Sequence, residues 1–391
     1  MAGDDQKVVW ILGAGFSVPL GGPLFRELIS SRTLLPLQHF LPSRQKSGEP
    51  KLRAYAGAIE YLYRAGLGET DGRSRHWDDA EQFLEILEIA KNKRGGNSAR
   101  LIGELLRGLT TTDDVEQEAA GACNLLQGNL PRVHLEAVRY VAAACSTFLD
   151  DADKESDIVD KSERWEPYTR WYAQLEPGHD AVLTFNYDRS LDLLSAHGRR
   201  INALPIETLP IRRRPELISP VEENSDLINA HAPNNVIAYH LHGHVGWLCM
   251  DRKTIDRGGR DQNGDYRDAP RAHVDPEHAV LGIPGAEKRG LPDRLLKSLW
   301  DDAMTEIENA DVVVLVGYRF PESDNHAKRR LLDALRENKK DAKVHMVLGA
   351  SNSDLARVEG MVNWVGRSVC PHQMKAQDFF AVFDRNKLFT Y

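Results

Sequence analysis

The sequence predicts an α/β fold, a doubly wound parallel sheet interrupted by a large helical insertion, and three observations predict it. Short apolar runs rich in β-formers recur along the 391-residue chain, each ends in a small or polar cluster, and a long tract of helical periodicity separates the first run from the second. Val8-Val9-Trp10-Ile11-Leu12 is the first run and stops at Gly13. A strand covered on both faces reads as a continuous apolar run, so this one is expected to be a buried parallel strand. The same grammar returns in Ala181-Val182-Leu183-Thr184-Phe185, in Val236-Ile237-Ala238-Tyr239, in Val312 to Val316 and in Val344 to Leu348. These runs end at Asn186-Tyr187-Asp188, His242-Gly243, Gly317 and Gly349. Open α/β sheets bind ligands beyond the carboxyl ends of their strands, so the chemistry is expected there.

The tract between the first two runs differs. Phe83, Leu84, Ile86, Leu87 and Ala90 recur at helical spacing, as do Leu101, Ile102, Leu105, Leu106 and Leu109. Val138, Val141, Ala142, Cys145 and Phe148 form a third stripe. Stripes of this kind bury a helical layer, which predicts an insertion over 45–170 within a sheet domain made of 1–44 and 171–391. The stretches 211–234 and 251–268, dense in charged residues, Pro, Asn and Gly, read as exposed loops that serve as lids or mobile insertions.

Composition excludes several classes. Apolar residues make up 41% and charged residues 28%, as in an ordered globular protein. The net charge of −8, from 50 basic and 58 acidic residues, gives no global electrostatic case for nucleic-acid binding. Arg212, Arg213 and Arg214 read as solvated surface. The four cysteines form no CxxC pair, so neither a disulfide framework nor a zinc ribbon is expected, and a reducing cytosol is the natural compartment. The first residues lack the pattern of a signal peptide, and the apolar runs are too short to cross a bilayer. A soluble, cytoplasmic protein without a membrane anchor is the expectation.

Gly13-Ala14-Gly15-Phe16-Ser17 follows the first strand directly. Glycines at such a turn either make it tight or let the backbone approach a pyrophosphate at a helix N-terminus. The dinucleotide fingerprint GxGxxG is incomplete, because Val18 stands where the third glycine belongs. Gly21-Gly22-Pro23-Leu24-Phe25-Arg26 comes shortly afterwards. Together these segments resemble the sirtuin family, whose first motifs are GAG(I/F)S and GxPDFR. Thr184-Phe185-Asn186-Tyr187-Asp188 resembles the family's TQNID, and Leu241-His242-Gly243 its HG element. Gly317, before Tyr318-Arg319, falls at the place of the later GTS motif. The motifs keep the family's order at predicted strand ends and cover about two-thirds of the chain; the insertion matches nothing in the family.

The resemblance implies a Rossmann-like domain that binds NAD as substrate and breaks its nicotinamide–ribose bond. Asn186 and His242 would be catalytic, the amide orienting the attacking water and the imidazole acting as base on a ribose hydroxyl near neutral pH. Gly13, Ala14, Gly15 and Ser17 would contact phosphates or ribose, with Phe25 and Arg26 on a loop closing over the nicotinamide. Asp188 would hold the nicotinamide carboxamide, Gly317 would sit beside the cofactor, and Asp324 would reach a ribose. Each has a plainer reading. Asn186 would simply cap a helix beginning near Asp188, Asp324 would only start the helix Ala327 to Glu337, and the alternating His240, His242 and His244 would suggest a metal site although further ligands are not evident.

Departures from the family narrow the activity. Leu24 replaces the aspartate of GxPDFR, Phe185 replaces the glutamine of TQNID, and only Cys249 lies where two CxxC pairs would hold zinc. The pattern is most similar to the zinc-free sirtuin-like NAD hydrolases of bacterial antiphage defence. That resemblance implies ADP-ribose and nicotinamide as products, a homo-oligomer, and a sensor or ATPase partner such as a hexameric translocase-type ATPase. A protein deacylase or ADP-ribosyltransferase, and a non-catalytic module binding NAD or ADP-ribose, are the alternatives.

Overall fold

The computed structural model describes residues 6–24, 27–30, 33–34, 37, 52–68, 74–93, 95–109, 117–147, 149, 159, 163–202, 216–218, 235–250, 255–256, 272–283, 295–321, 324–349 and 351–390. Phe25, Arg26 and Phe148 lie outside them, as do the expected loops apart from 216–218 and 255–256. In chain order the strands are β1 (Val8–Leu12), β2 (Asp180–Thr184), β3 (Glu216–Ile218), β4 (Asn235–His240), β5 (Gly243–Leu248), β6 (Ala279–Leu281), β7 (Val312–Val316), β8 (Lys343–Val347) and β9 (Val369–His372).

Seven of them form one sheet in the order β3-β4-β2-β1-β7-β8-β9, and every neighbouring pair is parallel. The chain winds outward from β1 to β2 on one side, then crosses back to place β7 on the other, so the winding reverses at β1. Register aligns the strand ends. Leu12 pairs with both Thr184 and Val316, and Thr184 pairs with His240, so the carboxyl ends of β1, β2, β4 and β7 stand level.

Alternation sorts the buried strand residues onto two faces. Val9, Ile11, Leu183, Val313 and Leu315 pack against the helices Lys297–Glu308, Asn325–Arg336 and Asn352–Trp364. Val8, Trp10, Leu12, Val182 and Val314 pack against Glu166–Tyr172 and Ala376–Ala381. Trp10 meets Trp171 and Phe383 edge-on at 5.4 and 5.2 Å, pairs worth about 1 kcal/mol each beyond the area they bury. Helices on both faces of a parallel sheet make this the doubly wound, Rossmann-like α/β fold.

The helices Leu52–Gly66, Ala80–Asn92, Asn97–Leu109, Gln117–Leu126 and Leu130–Thr147 bury a core of their own. Phe83, Leu84, Leu87, Ile102, Leu106, Val141 and Cys145 lie inside it, and Ile86 and Leu101 are partly buried against it. Leu28, Ile29 and Leu37 join this helical core, whereas Trp165, Tyr168 and Trp171 pack on the sheet. Tyr187, Val245, Leu281 and Ile283 belong to the helical core too, so it reaches the antiparallel ribbon of β5 and β6. Buried Arg139 donates to the carbonyls of His273 and Val274 at 2.5 and 3.1 Å and pairs with Glu136, which ties the last long helix to the segment leading into β6. Among the described residues no helix is long and apolar enough to cross a membrane.

Candidate functional site

The level carboxyl ends of β1, β2, β4 and β7 open onto a cavity of about 310 Å³. It sits where the winding reverses, the position at which an open parallel sheet leaves a crevice between diverging connections. Gly13, Ala14, Gly15 and Ser17 line it after β1, Phe185, Asn186, Tyr187 and Asp188 after β2, His242 after β4, and Gly317, Tyr318, Arg319 and Asp324 after β7. Every sequence-predicted site residue within the described residues therefore lines one cavity.

The glycines bring two loops together. Gly13 N–H donates to the carbonyl of Val316 and Gly15 N–H to that of Gly317, so both amides hold the loop after β7. A methyl group at Gly13 would stand 2.6 Å from the Tyr318 Cα, and one at Gly15 2.6 Å from the Gly317 Cα. Gly317 itself has φ 67°, and a Cβ there would lie 2.4 Å from the Gly15 Cα. Two backbone loops thus touch, which lets the β1 and β7 ends form one floor. The helix after Gly13 is a single turn, Ala14–Ser17, succeeded by the 3-10 segment Val18–Leu20 with Pro19 at its start and left-handed Gly21 at its end. A long helix whose dipole would face a pyrophosphate is not built here.

Asn186 does not cap a helix. The next helix begins at Ser190, and Asp188 Oδ1 accepts from both the backbone N–H and the hydroxyl of Ser190. That leaves the Asn186 amide to donate to Ser17 Oγ at 3.4 Å, while its own N–H is held by Thr184 Oγ1 at 3.1 Å. Burial pushes the Asp188 carboxyl up, against the hydrogen bonds of Ser190 and Ser17 and the nearby His244. Gly22 packs against Ser17, where a Cβ would meet Ser17 Oγ at 2.8 Å.

His242 is oriented by a carboxylate. Its Nε2 lies 3.1 Å from Asp324 Oδ2, with both side chains buried, and the Tyr318 hydroxyl donates to the same oxygen at 2.8 Å. Asp324 occupies the N-cap position of Asn325–Arg336 without a side-chain capping bond, so its carboxylate faces His242 and Tyr318. Burial, then the charge of Asp324, raises the Tyr318 phenol well above its ordinary range and keeps it a neutral donor. Phe185 lies flat on Tyr318 at 4.1 Å and edge-on to His242 at 4.8 Å, while Tyr187 stacks on His242 at 6.2 Å. Phe185 thus packs the rings that hold the histidine. Gly243 turns the chain at φ 81°, and any Cβ there would strike the Val280 carbonyl at 1.9 Å.

The three alternating histidines go separate ways. His242 meets Asp324, His244 Nε2 lies 2.7 Å from Asp192 Oδ2, and His240 packs against the rings of His244 and Trp247. Burial works against charge at Asp192, but His244 and His240 hold its carboxyl below the ordinary range. No group of three or more possible metal ligands occurs among the described residues.

Among the wall residues that the sequence did not mark as functional are Glu81 and Cys145, both from the helical insertion. Burial raises the Cys145 thiol, with the charge of Asp188 adding to it, so it is held as a neutral thiol. Glu81 follows an Asp79 cap in the first turn of its helix, a pattern that by itself signals only a helix start. The arrangement as a whole offers an amide, an imidazole with a fixed carboxylate partner, and an apolar aromatic wall around one small-molecule cavity. No family model matches the chain, and no curated protein matches it.

Proposed function

We propose that this chain is a sirtuin-like NAD hydrolase, which cleaves the nicotinamide–ribose bond to give ADP-ribose and nicotinamide. The observation that carries the reading is the convergence of Asn186, His242 and the Gly13–Ser17 turn on one cavity at the reversal of the sheet. Breaking this bond builds positive charge on the ribose, so catalysis requires an acceptor on the opposite face and a site that excludes bulk water. Asn186 orients the attacking water, and His242 accepts a proton from a ribose hydroxyl or from that water. Asp324 fixes the ring of His242 and supports its protonated form. Gly13, Ala14, Gly15, Ser17, Asp188 and Gly317 line the space for the dinucleotide.

Hydrolysis is favoured over transfer to a protein because Leu24 and Phe185 stand where the sirtuin motifs carry aspartate and glutamine, and the sequence has no CxxC pair for the zinc module of the protein deacylases. In the cell such an enzyme acts in the cytoplasm as an NAD-depleting effector of antiphage defence. It works as a homo-oligomer gated by a sensor or ATPase partner, since ungated NAD hydrolysis would kill its host. The test is incubation of the purified chain with NAD and no acceptor, with products separated by chromatography. Equimolar nicotinamide and ADP-ribose are expected; nicotinamide released only with an acylated peptide or a protein acceptor would replace hydrolysis by group transfer.

A further inference from the structure

Glu81 is one of the cavity-wall residues that the sirtuin-like motifs do not account for. It is brought there by the helical insertion, and its position is fixed by packing. Asp79 Oδ1 accepts from the Gln82 N–H at 2.9 Å and caps the helix Ala80–Asn92. Before it, the Trp77 indole N–H donates to the carbonyl of Tyr63 at 2.8 Å, and its ring packs on Phe83 at 4.8 Å. Trp77 also lies so close to Gly66 that a Cβ there would stand 2.0 Å from the indole. The first turn of this helix is therefore pinned to the helix Leu52–Gly66, and Glu81 is set half-buried over the site.

Among the described residues the cavity wall holds three carboxylates, Glu81, Asp188 and Asp324. Asp188 is engaged by Ser190, and Asp324 by His242 and Tyr318. Glu81 reaches the cavity from the helical insertion, where the other two come from the sheet. Burial raises the phenols of Tyr187, which stacks on His242, and Tyr318, which bonds Asp324; Cys145 and Asp324 add to the first and Asp324 to the second, and Glu81 makes the last contribution to each. A glutamate placed only to complement a helix dipole would face solvent; this one lines the cavity together with Tyr187 and Tyr318, the rings beside His242.

We infer that Glu81 is a further catalytic residue of this site, its carboxylate stabilising the ribosyl cation that forms as the nicotinamide departs. The inference rests on the NAD-hydrolase reading. In the step, the bond between ribose C1′ and the nicotinamide ring nitrogen breaks, and its electron pair leaves with the ring, which becomes neutral. A water oxygen bonds C1′, and the water's proton passes through His242 to solvent. No electron is gained or lost overall. Positive charge concentrates on the ribose midway, and a carboxylate held in a dry site favours that state over bound substrate. The helical insertion thereby completes the active site, and anything that shifts it against the sheet would change turnover.

The experiment measures nicotinamide release by the full chain and its variants, with NAD binding measured by calorimetry. Glu81→Gln keeps the size but removes the charge and replaces one accepting oxygen by a donating amide nitrogen. A fall in kcat of roughly 100-fold, with the dissociation constant for NAD within a few-fold of wild type and an unchanged melting temperature, is expected. Glu81→Asp, which keeps the charge, should retain about a tenth of the activity or more, and it serves as the deciding variant if Glu81→Gln fails to fold. Wild-type kcat in Glu81→Gln, or a change in KM alone, would overturn the role. So would a Glu81→Asp enzyme that folds yet is as inactive as Asn186→Ala. Failure of the wild-type chain to cleave NAD at all would instead sink the underlying reading, so the two are distinguishable.

Discussion

Asp324 and His242, 82 residues apart in sequence, meet with a carboxylate oxygen 3.1 Å from Nε2, and the same oxygen accepts from Tyr318. A helix-capping residue has been turned away from its helix to hold a side chain at the end of another strand. Asp324→Asn tests what that contact does. The amide oxygen still accepts from Tyr318, so the fold should be kept, but His242 loses the partner that sets its orientation and supports its charge. NAD cleavage should fall by roughly 100-fold with KM little changed. Steady-state kinetics check this, and full activity in the variant would make Asp324 a purely structural residue.

The contact between the β1 and β7 loops depends on the absence of side chains. Gly317→Ala places a Cβ 2.4 Å from the Gly15 Cα and forces a non-glycine residue into φ 67°. Since the clash is with backbone, neither loop yields by a rotamer change. A loss of roughly 3 kcal/mol in unfolding free energy is expected from denaturant titration. A variant as stable as wild type would show that the loops separate at little cost.

Asp180 at the start of β2 gives a pH-dependent prediction. Burial pushes its carboxyl up from 3.8 to about 6, although Arg385 donates to it at 2.8 Å. A carboxyl raised in the folded state contributes stability that is present below its ordinary value and lost as pH rises through the folded one. This group therefore costs stability between about pH 4 and pH 6. Arg385→Met removes the cation that offsets the buried charge, so the loss should be about 3 kcal/mol at pH 8 and clearly smaller at pH 4. Urea unfolding at the two pH values decides it; an equal loss at both would mean that Arg385 acts through packing alone.

How much of the fold is legible in the sequence depends on which signals are local. Val8–Leu12 and Val312–Val316 can be read with their observed ends because central parallel strands are apolar on both faces, and glycine stops each one. The half-exposed edge strand Val369–His372, containing Pro371, and the three-residue strands β3 and β6 carry no such pattern. The ribbon of β5 and β6 escapes a sequence reading because Gly243 reverses the chain directly after the histidine motif. Residues just after the strands are within reach because sheet register brings strand ends together. Glu81 and Cys145 are not, because nothing local records that a helix start and a helix end will fold over that edge. The short helix after Gly13 is foreshadowed by Pro19 and Gly21, whose meaning the resemblance to a dinucleotide turn obscures.

The most direct test of the central claim is nicotinamide release from NAD by the wild-type chain beside Asn186→Ala and His242→Ala, with folding followed by circular dichroism. Neither substitution touches a strand; the Asn186 amide is worth only about 1 kcal/mol of hydrogen bonding to Ser17, and in His242→Ala the Asp324 carboxylate keeps the Tyr318 hydroxyl as donor, so both variants should stay folded. Steady release by the wild-type chain and loss of that activity in both variants are expected. Near-wild-type turnover in either folded variant would contradict it.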